Sequence, residues 1–249
     1  MPEFKRVGQS TTSPTSNSQR MVVRVPAYVD DKGYVQNAGF TFKPIPALEN
    51  GPIDGPKAIV LHRTDSYTVD SALRSFQSGI GTHFIVAKDG TVTQTASLLK
   101  RTAHVGKIKS RAAESGSPAG EATLIKGWGW APTKIYNHEK SKSYPDRYPM
   151  NQDSVGIETV AKHRGESGWE APTAEQSASI ATIVRVLKDT YGLGEDDIYE
   201  HDNISYKTEG EGAGLYSGDP VQASGTPPAI DSSLPGMGGA ANGYPGRHD

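Results

Sequence analysis

Apolar and polar positions alternate in a regular way through the middle of the chain and lose that pattern at both ends. Residues 1–20 are rich in Ser, Thr, Gln and Pro with almost no apolar content, and read as a disordered arm. From Met21 the run MVVRVPAYVDDKGYVQ predicts two short extended pieces around an Asp-Lys-Gly turn, and a Pro/Gly-broken segment follows from Pro44 to Pro56. Residues 21–56 are therefore expected to be a strap leading into the core. The core opens with KAIVLHRT, where the continuous apolar run Ala58 to Leu61 fits a strand buried on both faces and His62 falls at its end. Asp65 or Ser66 can then cap a short helix with Val69, Leu73 and Phe76 on one face, stopped by Gly79. GTHFIVAKDGTVTQTA predicts a hairpin: a strand through Phe84, Ile85 and Val86, a Lys-Asp-Gly turn, and a return through Val92.

Residues 107–150 are dominated by Lys, Ser, Gly, Pro and Tyr, contain GWGWAPTKIY, and lack sustained periodicity, so they are expected to be an insertion bordering a site. Periodicity returns with NQDSVGIETVAKH, a buried strand from Val155 to Val160. Thr173 and Gln176 form a capping box for a helix whose Ile180, Val184, Leu187 and Tyr191 share a face, with Gly192 just past its end. Asp197 to Glu200 make a short strand that delivers His201, and residues 216–249 are a Gly/Pro/Ser-rich tail. Strands interleaved with helices, plus one hairpin, predict an α/β domain with a mixed central β-sheet flanked by helices.

Composition narrows the function. A length of 249 residues suits one catalytic domain with appendages. A net charge of -2 provides no field for nucleic acid, and no apolar run reaches the length of a membrane span, so neither nucleic-acid binding nor membrane insertion is expected. With no cysteine, thiolate metal sites and disulfides are excluded. The polar N-terminus lacks the apolar core of a signal peptide, so synthesis in the cytoplasm followed by a route other than a cleavable signal is the expectation.

Candidate chemistry concentrates in YEHDNISYKTEGEG, residues 199–212, where His201, Lys207, Glu209 and Glu211 crowd into a glycine-rich turn. Either His62 or His201 alone is more easily read as a satisfied strand-end residue. Two strand-end histidines plus a carboxylate, however, match a catalytic metal site with three protein ligands. Glu158 lies inside an otherwise apolar run, where a carboxylate needs a partner or a task.

The blocks IVLHRT, GTHFIVAKDGTV, RTAHVG, NQDSVGIE and EHDNISYKTEG, in that order over about residues 57–212, resemble the zinc-dependent N-acetylmuramoyl-L-alanine amidases, a superfamily shared with peptidoglycan recognition proteins and phage lysozyme-type amidases. The resemblance implies a zinc amidase domain at residues 57–215 and cleavage of the amide between N-acetylmuramic acid and the L-alanine of the stem peptide. It implies Zn²⁺ held by His62, His201 and, by its spacing from Lys207, Glu209, with Glu211 the competing third ligand. It implies Lys207 as oxyanion stabiliser, Glu158 as general base in place of a family tyrosine whose position is Thr82 here, and His104 and Asn151 at the substrate. The expected partner is peptidoglycan, met by a monomer in the periplasm or on the cell wall, as an antibacterial effector with a secretion apparatus and an immunity protein, or as a phage lysin. Rival readings are a non-catalytic peptidoglycan recognition module and an amidase cutting another bond of the stem peptide. His83 reads as structural, while His138, His163 and His248 read as solvated; Trp128, Trp130 and Tyr136 divide between sugar contact and packing.

Overall fold

In a computed structural model, which describes residues 25–53 and 55–218, the strap supplies β1 (Tyr28–Val29) and β2 (Val35–Gln36), an antiparallel pair around the Asp-Lys-Gly turn. The arm at residues 1–20, the tail beyond residue 218 and His248 lie outside the described residues. The strap also contributes β3 (Thr41–Phe42), which pairs in parallel with a core strand, a role its short extended pieces did not announce. Next come β4 (Ala58–Arg63), α1 (Val69–Phe76), and the hairpin β5 (Phe84–Val86) and β6 (Val92–Gln94). The cap of α1 is Thr68, whose side chain accepts from the Ser71 amide, rather than Asp65 or Ser66.

The stretch at residues 107–150 is helical, against the expectation of irregular chain. It holds α2 (Arg111–Ser115), α3 (Ala119–Lys126) and α4 (Pro132–Glu139). These helices are too short to reveal a 3.6-residue period, and Pro118 and Pro132 at their starts look like breakers until their N-terminal placement is known. The remaining elements are β7 (Ser154–Thr159), α5 (Ala174–Tyr191) with its capping box, β8 (Ile198–Glu200) and α6 (His201–Ile204).

Six of these strands form one mixed sheet in the order β3-β6-β5-β7-β4-β8, in which only the β5/β6 pair is antiparallel. Strand alternation then decides what each face carries. Ile59 and Leu61 of β4, Val155 and Ile157 of β7, and Phe84 and Val86 of β5 join one cluster with Ile180, Ile183, Val184 and Leu187 of α5. Each of those fully buried aliphatic side chains stabilises the layer by roughly 1.5–3 kcal/mol. The opposite face carries Val60 and His62 of β4, Ile85 of β5, and Gly156 and Glu158 of β7, and is covered by α1 and by the segment around residues 104–108. The mixed, helix-flanked α/β sheet expected from the sequence is the architecture found. Among the described residues no helix is long and apolar enough to cross a membrane.

Candidate active site

The C-terminal ends of three neighbouring parallel strands deliver the polar groups. Glu158 on β7 stands in register beside His62 on β4; on the other side Leu61 pairs with Glu200 of β8, and His201 follows at once as the first residue of α6. The carboxyl ends of parallel strands are where open α/β sheets gather ligands. Glu211 reaches the same point from the glycine-rich loop, and Glu158, His62, His104, His201, Lys207 and Glu211 line a cavity of about 190 Å³, walled on its apolar side by Ala72, Phe76 and Ile80.

Hydrogen bonds fix the orientation of the imidazoles. His201 Nε2 is 2.9 Å from the Val105 carbonyl oxygen, to which it donates, leaving Nδ1 as a lone pair only 2.7 Å from Glu211 Oε1. His104 Nε2 approaches the Ser154 carbonyl and hydroxyl at 3.4 and 3.3 Å and donates there, so its Nδ1 accepts from His62 Nε2 at 3.1 Å. His62 Nδ1 is thereby left as a lone pair facing Glu211 Oε1 at 3.7 Å. A ligand atom from each of His62, His201 and Glu211 lies within 4.8 Å of the others. Two imidazole nitrogens aimed at one carboxylate oxygen could hold a cation among them, and an N,N,O donor set with a histidine-bonded outer layer suits a divalent metal.

Electrostatics agree with that geometry. Burial, reinforced by the neighbouring His201, lowers the His62 pKa to about 3, so the ring is a neutral donor. Burial likewise carries His104 well below the ordinary histidine range, with His62 adding to it. Burial works to raise Glu211, but the facing rings of His201 and then His62 outweigh it and draw the group down to about 2, keeping it anionic. Glu158 goes the other way: burial and then the Glu211 charge push it up to about 8, opposed by Lys207. Two carboxylates on one cavity with separated pKa values are suited to different tasks.

The glycine-rich loop is held by contacts the linear pattern does not display. Arg63, directly after His62 and only 6% exposed, donates to four carbonyls: Glu170 at 3.2 Å, Gly210 at 2.8 Å, Glu211 at 3.0 Å and Ala213 at 2.7 Å. Asp202 accepts from the amides of Gly210 and Gly212 at 2.7 and 2.8 Å, and Glu200 accepts from Gly214. Gly212 lies so close to β8 that a Cβ there would meet Glu200 Cα at 2.6 Å and His201 N at 2.7 Å. Held this way, the loop turns Glu211 inward, while Glu209 is exposed and offers its carbonyl to Trp169 Nε1 at 3.1 Å. The carboxylate beside the two histidines is thus Glu211 and not Glu209, the residue favoured by spacing from Lys207.

A family model described as N-acetylmuramoyl-L-alanine amidase matches residues 51–212. The chain belongs to that family. Among solved structures the amidase chain is similar to a selenomethionine derivative of AmpD, with 17% identity, 76% of this chain and 94% of that one covered, and a TM-score of 0.47. It is also similar to the N-acetylmuramoyl-L-alanine amidase LysC from Clostridium intestinale URNW, at 17% identity, 67% and 86% coverage and a TM-score of 0.40. A third is the amidase AmiD from E. coli in complex with anhydro-N-acetylmuramic acid-L-Ala-D-gamma-Glu-L-Lys, at 14% identity, 71% and 57% coverage and a TM-score of 0.42. No curated protein matches the chain by sequence.

Within this amidase the remaining candidates separate. His104, expected at the substrate, lines the cavity but commits both ring nitrogens to His62 and Ser154, which makes it a support of His62. Asn151 lies outside the cavity: its Oδ1 accepts from the amides of His104 and Val105 at 3.1 and 2.9 Å, so it shapes the cleft through that loop. His83 is structural as expected, bonded to the Lys100 carbonyl and the Gly156 amide, with burial lowering it to about 4. Gly156 is required for the His104 contact, because a Cβ there would meet the His104 ring at 2.8 Å. Thr82 is buried and donates to the Phe84 carbonyl, so it takes no part in proton transfer. His138 keeps 32% of its side-chain surface exposed and joins Glu121 and Glu139 in a second grouping, where the Lys142 ammonium bridges both carboxylates and supplies the countercharge. His163 packs on Trp169. Arg63, Asp202 and Gly212 were missed from sequence, although an arginine directly after an apolar strand was a signal to ask what it holds.

Proposed function

We propose that this amidase hydrolyses the amide joining the lactyl group of N-acetylmuramic acid to the L-alanine of the peptidoglycan stem, with zinc at His62, His201 and Glu211. The observation that carries this reading is the convergence of two tautomer-fixed imidazoles and an anionic carboxylate on one cavity with the buried Glu158. Zinc bound there supplies Lewis acidity, polarising the scissile carbonyl and easing loss of a proton from the attacking water. Glu158 takes that proton on its carboxylate and returns it to the alanine nitrogen as the C–N bond breaks, giving a lactyl carboxylate and a free α-amine. The Lys207 ammonium, on the rim of the same cavity, offsets the negative charge that develops on the carbonyl oxygen. His104 keeps His62 in the tautomer that presents Nδ1.

The test is release of stem peptides with free L-alanine amino termini from purified sacculi. Chelation should abolish release and added zinc restore it. Full activity in a metal-free preparation sinks the zinc reading, and fragments cut within the stem peptide would move the bond. The same proposal places the enzyme on the cell wall as an exported antibacterial effector or lysin, with support from a helical insertion beyond the minimal sheet-and-helix core. Neighbouring genes encoding an immunity protein or a holin are the readout.

A further inference from the structure

The α3–α4 connection carries two tryptophans with different surroundings. Trp128 is half-buried, with Lys134 Nζ 4.2 Å from its ring centre and the His138 ring 5.5 Å away, so its indole is engaged within the insertion. Trp130 is 84% exposed, the most exposed of the large apolar side chains among the described residues. Its ring meets the edge of Tyr206 at 5.3 Å and 79°, and Tyr206 immediately precedes cavity-lining Lys207. The loop is tied to that rim a second way. Lys107 Nζ bonds Thr133 Oγ1 at 2.8 Å at the start of α4, while Ser205 Oγ donates to the carbonyls of Lys107 and Val105, the latter also the acceptor for His201. The insertion therefore holds an open indole face against Tyr206, next in the chain to cavity-lining Lys207, on a loop fixed to the same segment as a site histidine.

We propose that Trp130, braced by Tyr206, is a saccharide subsite that stacks on a pyranose ring of the glycan strand, within one or two sugar units of the muramic acid whose amide enters the cavity. This rests on the amidase reading for the identity of the glycan. The chemistry is that of an aromatic face against the C–H face of a sugar, and the T-shaped contact pre-sets the indole so that little side-chain freedom is lost on binding. A single exposed tryptophan needs no function by itself. What singles this one out is its contact with Tyr206, the residue before cavity-lining Lys207, while Trp128, two residues away, is engaged by Lys134 and His138 of α4. A subsite here favours polymeric substrate over free muramyl peptide.

The experiment measures binding of peptide-free glycan strands, alternating N-acetylglucosamine and N-acetylmuramic acid, to the full chain by calorimetry. Trp130→Ala should weaken binding by about tenfold, and Trp130→Phe should retain most of it. Leu124→Ala, which removes another exposed apolar side chain of the insertion, should leave it unchanged. Wild-type affinity in Trp130→Ala, no binding by the wild type, or equal loss in Leu124→Ala overturns the subsite. Stem-peptide release is scored in parallel. Glycan binding lost with Trp130→Ala but no release by the wild type would sink the amidase reading and leave the subsite, whereas release with unchanged glycan binding would sink the subsite alone.

Discussion

Replacing Arg63 with alanine tests the idea that Glu211, the third ligand of the proposed zinc site, is placed by a clamp rather than by the loop's own sequence. The guanidinium is buried and its four hydrogen bonds all go to backbone carbonyls, three of them in the loop that carries Glu211. A hydrogen bond from a charged donor is worth about 1.5–3 kcal/mol, but the freed carbonyls lie near the surface and recover water, so the losses do not add in full. A net destabilisation of about 3 kcal/mol is expected. In a domain of this size that lowers the melting temperature by about 6–12 °C. Once its carbonyls are released, the loop no longer holds Glu211 against His201, so zinc affinity should fall by about 10–100-fold, as for loss of other groups that orient metal ligands. Thermal denaturation with and without chelator measures the first effect, and competition titration with a zinc chromophore the second. Arg63→Lys should recover only part of either, because an ammonium cannot span four acceptors with a planar fork. A variant that melts within about 2 °C of the wild type and binds zinc equally well would refute the clamp.

Glu211→Ala should lose stoichiometric zinc while Glu209→Ala keeps it, read by metal analysis after dialysis; the reverse result would restore the spacing-based choice. Gly156→Ala forces a Cβ against the His104 ring and Thr82, so it should cost about 1–3 kcal/mol in urea melts. It should weaken zinc binding too; retained stability and affinity would remove the support role given to His104. In metal-free protein, burial and Glu211 keep Glu158 protonated up to about 8, above the unfolded carboxyl value of 4.5. The folded state then binds the extra proton, so this contribution to stability is present below the unfolded value and is lost as pH rises through about 8. Glu158→Gln should flatten that part of the slope in chelator-treated urea melts between about pH 5 and about pH 9, and identical slopes in both proteins would contradict the burial argument.

The chain announced by itself whatever depends on local repetition. Alternation and the Asp-Gly turn gave the hairpin β5/β6, and the Thr173/Gln176 box with Gly192 bounded α5, because caps and periods act over a few residues. His62, His201 and Glu158 were legible because each breaks an apolar strand or stands at its end, and strand ends of a parallel sheet meet on one rim. The insertion was not legible, since helices as short as α2, α3 and α4 depend on packing against the rest of the domain more than on their own propensity. The third member of the donor set was likewise beyond the sequence. TEGEG offers two glutamates of equal chemistry two residues apart, and the choice of Glu211 comes from Arg63, some 150 residues earlier, together with Asp202 and the close approach of Gly212 to β8. Such contacts have no period and no short-range signal, because they exist only once β4 and β8 lie side by side.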